Sequence, residues 1–149
     1  IRDPYVVFPS TLRLWKSLHE VQALQIDSGD SLEEYVFKAF EEMYHAFERD
    51  KENVGANRLY EIRYEDLIAN PVEIMSHAYE RLGIGNFEKV RERFEKQSQA
   101  MKTYKTNTYD LEPRLAREIT NRWGTFIHRY GYQIPETVSS LQDASSDHA

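Results

Sequence analysis

The sequence contains no cysteine, which excludes disulfides, thiol nucleophiles and cysteine-ligated zinc. No hydrophobic run approaches the length needed to span a bilayer, no signal peptide is visible, and a cytoplasmic location is expected. Lysine and arginine form no run and the net charge is −6, so a nucleic-acid partner is not expected. Nowhere does a glycine-rich segment lead into a lysine, the arrangement that cradles phosphates at a strand–helix turn. The histidines, His19, His45, His77, His128 and His148, show no ligand-like spacing, and no metal is expected. Aromatic residues are plentiful by contrast. Ten Tyr, seven Phe and two Trp in 149 residues supply large pieces for the core of one domain.

The opening residues, Ile1 to Ser10, carry the densest cluster of interpretable chemistry. Asp3 is a good N-cap and Pro4 a good first helical residue, so a helix is predicted from Pro4 to about Ile26. Pro9 falls inside it and is expected to kink it. Phe8, Leu12, Trp15, Leu18 and Val21 follow three-and-four spacing and are assigned to the core. Arg2 stands just ahead of the helix, and Ser10 lies about two turns into it. A guanidinium fork, free N–H groups at a helix end and a hydroxyl together suit an anion such as a phosphate. The plainer alternative is a surface ion pair beside an ordinary helix start.

Further helices follow from their start and stop signals. Ser31 with Glu34 reads as a capping box, starting a helix at Leu32 that ends near Asp50. Its apolar stripe is Val36, Phe37, Phe40, Met43, Tyr44 and Phe47. Arg58 to Tyr64 is the best strand candidate, since Tyr60, Ile62 and Tyr64 alternate with Glu61 and Arg63. Asn70-Pro71 opens another helix and Gly83 closes it. Phe87 to Gln97 is a charged amphipathic helix in which Glu88, Arg91, Glu92 and Glu95 exchange ion pairs. Pro113 opens the last helix, which reaches about Tyr130 before Gly131. The arginines along it, Arg114, Arg117, Arg122 and Arg129, read as solvated charges. From Glu136 onward the composition predicts a disordered tail, which leaves a domain over residues 1–135.

Three stretches in this order resemble the PAPS-dependent sulfotransferases of the bacterial type. Arg2-Asp3-Pro4 followed by Ser10 is similar to that family's 3′-phosphate-binding segment. Tyr64-Glu65-Asp66-Leu67, with Asn70-Pro71 and Leu82-Gly83 behind it, is similar to the segment whose tyrosine contacts adenine. Tyr104, Asn107, Tyr109 and Leu111, with Tyr130-Gly131-Tyr132, resemble a loop that closes over the nucleotide. The similarity covers roughly residues 1 to 132. It implies an α/β, P-loop-kinase-like sulfotransferase fold, of which this chain is a mainly helical C-terminal portion with one or two strands. It also implies an enzyme that transfers a sulfuryl group from PAPS, as co-substrate, to a hydroxyl or amine of a small-molecule or carbohydrate acceptor.

Carried over residue by residue, the resemblance assigns Arg2, Ser10, Tyr64, Lys105 and Asn107 to the donor nucleotide. Arg13, Leu14 and Ser17 would border the acceptor, and Lys102 or Lys105 would help to neutralise the 3′-phosphate. The family's phosphosulfate loop and its catalytic base have no counterpart in these residues. The expectation is therefore a stretch that binds donor, contributes no catalytic residue and does not turn over alone. Two other readings stand beside it. One is a fragment of a nucleotide kinase, and the other is a non-enzymatic helical interaction module whose aromatic stripes meet a partner.

Overall fold

The computed structural model of the chain describes residues 1–22, 29–101 and 109–138. Among the described residues six helices follow one another: α1 (Pro4–Gln22), α2 (Gly29–Lys51), α3 (Tyr64–Ala69), α4 (Pro71–Leu82), α5 (Glu88–Met101) and α6 (Pro113–Arg129). None of them is long and apolar enough to cross a membrane. The chain divides into two compact units. One gathers Ile1–Arg2 with Ala46–Asn107, and the other Asp3–His45 with Thr108–Ala149.

The second of these units is built on α1, most of α2, and α6. Phe8, Phe37 and Trp123 are buried, and their rings meet at centroid distances of 4.3 to 5.5 Å. Phe40 stacks on Trp123 at 3.9 Å and meets Phe126 edge-on at 5.1 Å. Leu12, Val36, Leu115, Ile119 and Ile127 fill in around the rings. Each fully buried side chain of this kind contributes about 1.5–3 kcal/mol. Two predicted core residues are not in it: Val21 is 83% exposed and Met43 61%. Both sit at apolar spacing, but the face that α1 and α2 bury is narrower than their stripes.

Polar ties lock the helices. The Tyr5 phenol and the Thr120 hydroxyl are 2.8 Å apart, and Thr120 donates onward to the Ala116 carbonyl at 2.8 Å. Arg122 was read as solvated and is not. Its Nε donates to Glu41 at 2.8 Å, its remaining nitrogens reach Glu34 and Glu41, and its guanidinium lies 4.6 Å from the Phe37 ring centroid. α6 leaves helical geometry at Trp123 (φ −105, ψ 16), where the following Gly124 lowers the preference for helix.

The other unit stacks α3 on α4 and α4 on α5. Its core is small: Ala78 and Phe87 are buried, with Tyr79 and Phe94 meeting the Phe87 ring at 5.3 and 5.6 Å. The ends of α4 follow the expected signals. Pro71 occupies its first turn, and Gly83 ends it at φ 61, with Ile84 N–H bonded to the Tyr79 carbonyl at 3.3 Å. Asn70 stands at the N-cap but caps without its side chain. Along α5, Arg91 pairs with Glu88 and Glu95, as the sequence suggested, and Lys96 pairs with Glu92.

Three expectations about the elements change. No strand occurs among the described residues, although one was predicted near 58–64. Residues 59–63 take no regular structure, with Arg63 itself extended (φ −76, ψ 133), and among the described residues one backbone pair meets them. The Ile1 amino group donates to the Ile62 carbonyl at 2.9 Å, and Tyr64 N–H donates to the Ile1 carbonyl at 2.8 Å. That is the hydrogen-bond pattern of a parallel bridge one residue long, too short to make a ladder. Tyr64 does not close a strand; it opens α3, a helix the alternation concealed. α2 already includes Gly29, so Ser31 lies inside the helix rather than ahead of it. Residues 136–138 form a helical turn that buries Val138, within the stretch read as a tail. The predicted end of α1 at Ile26 lies outside the described residues.

Candidate functional site

The segment ahead of α1 is held from both sides. Downstream, Asp3 caps the helix as predicted. Its Oδ1 accepts from Tyr5 N–H at 2.8 Å, and its carbonyl accepts from Val6 and Val7 at 3.1 and 2.9 Å. Pro4 has no N–H to offer. The first turn is thereby satisfied internally, and the Asp3 carboxylate already neutralises the positive end of the helix. This corrects the expectation of free N–H groups there. The amides of Tyr5, Val6 and Val7 are therefore not free to bind an anion.

Upstream, the backbone pair of Ile1 with Ile62 and Tyr64 fixes the register of the chain start against residues 62–64. Arg2 follows directly. Its guanidinium carbon lies 4.3 Å from the centroid of the Tyr64 ring, and both side chains are half-buried. No carboxylate lies within ion-pair distance of Arg2 among the described residues. Arg49, Arg91, Arg114 and Arg122 all have one. A guanidinium stacked on an aromatic ring keeps its in-plane N–H donors available, and those donors match a phosphate.

The structure therefore brings together two of the five residues assigned to the nucleotide, Arg2 and Tyr64. Ser10 is half-buried on α1, in the other compact unit. Lys105 and Asn107 lie outside the described residues, as does Lys102. The sequence led to Arg2, Ser10 and Tyr64 bordering one nucleotide; Arg2 and Tyr64 do meet, in a direct contact that assigning each its own part of the ligand did not anticipate. Sequence reasoning also missed the consequence of its own cap: Asp3 takes up the amides of Tyr5, Val6 and Val7. Among the described residues no group of three or more His, Asp or Glu side chains is placed to hold a metal.

The sequence profile of the sulfotransferase family matches residues 1–89, which include Arg2, Ser10 and Tyr64. The chain belongs to the sulfotransferase family. Two curated relatives, from Mycobacterium bovis and Mycobacterium tuberculosis, are each named omega-hydroxy-beta-dihydromenaquinone-9 sulfotransferase. Each is 38% identical over 132 residues, covering 89% of this chain and 34% of its own length. The chain thus spans about a third of the length of these relatives. No solved structure matches it. Membership decides the family among the readings the sequence left open, and sets the nucleotide-kinase reading aside.

Proposed function

We propose that this chain is the donor-binding stretch of a sulfotransferase that moves a sulfuryl group from PAPS to a hydroxyl-bearing acceptor. The observation that carries the proposal is the Arg2–Tyr64 stack: a half-buried guanidinium with no acid partner among the described residues, held at 4.3 Å over a ring. In a family whose donor is a doubly phosphorylated nucleotide, such a cation suits the 3′-phosphate, with Tyr64 next to the adenosine. Ser10, Lys105 and Asn107 join the donor site on the resemblance alone.

Sulfuryl transfer requires positioning, neutralisation of charge on the leaving group, and a base for the acceptor proton. In this proposal the stretch supplies the first and part of the second. It binds adenosine 3′,5′-bisphosphate but does not turn over PAPS by itself.

Two facts support an apolar acceptor. The relatives are named for a hydroxylated menaquinone. On this chain, Leu14 and Val21 are 57% and 83% exposed, and with Ser10 and Ser17 their spacing of four, three and four puts them on one face of α1.

Calorimetry with adenosine 3′,5′-bisphosphate tests the donor reading. Arg2→Ala is expected to weaken binding by about 2–4 kcal/mol, because the anion loses a charged, two-pronged partner. Unchanged affinity would overturn the assignment.

A further inference from the structure

Resting on the donor-site reading above, we propose that Tyr64 serves the nucleotide chiefly as a positioning residue. Its ring holds the Arg2 guanidinium in place for the 3′-phosphate, and its hydroxyl is dispensable for that purpose. Three observations lead to this. The guanidinium carbon sits 4.3 Å from the ring centroid, so Arg2 already covers one face of Tyr64. The backbone pair of Ile1 with Ile62 and Tyr64 brings residues 2 and 64 together before any ligand arrives. Among the described residues no carboxylate shares Arg2, so the ring is the group that restrains it there.

An aromatic face suits this task better than an acid does. A carboxylate would fix the side chain equally well, but it would occupy the N–H donors and compete with the phosphate. A ring restrains the guanidinium from above and accepts none of its in-plane hydrogen bonds. A two-pronged edge of the guanidinium is thereby left for the incoming anion. Restraining a long, rotamer-rich side chain in advance lowers what binding must otherwise spend on ordering it. A tyrosine that acted only on adenine would need its free face or its hydroxyl, and would have no reason to carry the arginine.

The test compares adenosine 3′,5′-bisphosphate with adenosine 5′-monophosphate by calorimetry on the chain and on R2A, Y64L, Y64F and the R2A/Y64L double variant. Loss of the ring in Y64L is expected to reduce the preference for the 3′-phosphate about tenfold, within the range of a partly desolvated cation–ring contact. Y64F should restore that preference, and the double variant should discriminate no worse than R2A alone. In the NMR spectrum the Arg2 δ-methylene protons should be shifted upfield by the ring current in wild type and Y64F, and not in Y64L. The proposal is overturned if Y64F loses as much as Y64L, if Y64L weakens both nucleotides alike, or if the two losses simply add. A missing ring-current shift in the folded wild type overturns it as well. A wild type indifferent to the 3′-phosphate would take the donor-site reading down too. Additive losses on a discriminating wild type would remove the positioning role alone.

Discussion

Tyr5 and Thr120 show how two buried hydroxyls are satisfied by a directed chain of protons. Thr120 gives its proton to the Ala116 carbonyl, so in the 2.8 Å contact it accepts from the Tyr5 phenol. Tyr5→Phe removes the outer donor and leaves the inner bond intact. A cost of about 0.5–1.5 kcal/mol is expected in chemical unfolding, the usual net worth of one buried hydrogen bond. Burial raises the Tyr5 phenol above its ordinary value of 10.0, with the Thr120 hydrogen bond opposing in part. A group raised on folding contributes its stability in full below the unfolded value. Stability should therefore decline as pH climbs past about 10, and Tyr5→Phe should decline less steeply. Equal slopes for the two proteins would show that the phenol is not the group responsible.

At the scale of elements, the tie between α2 and α6 depends on Arg122, which meets Glu34, Glu41 and the face of Phe37 together. Arg122→Met keeps the apolar stem and removes the charge. Thermal and urea unfolding should show a loss of about 1.5–3 kcal/mol, the range for hydrogen bonds to charged groups. The hydrogen bond from Arg122 holds the Glu34 carboxyl below its ordinary 4.5. A depressed acid contributes stability above its unfolded value and loses it as pH falls through the folded one. The native protein should weaken below about pH 4.5, and Arg122→Met should weaken less over that window.

Helix ends were legible in the sequence because single residues dictate them: Asp3-Pro4, Asn70-Pro71, Gly83, Pro113 and Gly131 each mark a terminus that the structure keeps. The strand near residue 60 was not, because alternation records a preference for extended chain, whereas a ladder also needs neighbours. Among the described residues Ile1 alone supplies one. Periodicity likewise could not tell that the apolar stripes of α1 and α2 are wider than the surface they bury, and so Val21 and Met43 were misassigned.

At the scale of the molecule, the two compact units differ in how much they bury. One packs Phe8, Phe37, Trp123 and Phe126 with aliphatic residues around them, while among its described residues the other buries Ala78 and Phe87. Hydrogen exchange should follow that difference, with amides of α6 around Ile119 and Ile127 protected longest and those of α5 exchanging sooner. Equal protection in the two helices would mean that the chain opens as one cooperative body. Of the candidate site, the sequence named Arg2 and Tyr64 through their motifs, and the family profile covers both. Their contact is a product of the fold, since nothing in either motif refers to the other.

The bridge at Ile1 also sets a reading frame. Successive residues of an extended segment turn to opposite sides, so the alignment that holds Ile1 between Ile62 and Tyr64 also decides which way Arg2 faces. An alanine inserted between Ile1 and Arg2 would send the guanidinium to the far side of the backbone, and a second alanine would bring it back. Phosphate affinity should then alternate with the parity of the insertion rather than fade with its length.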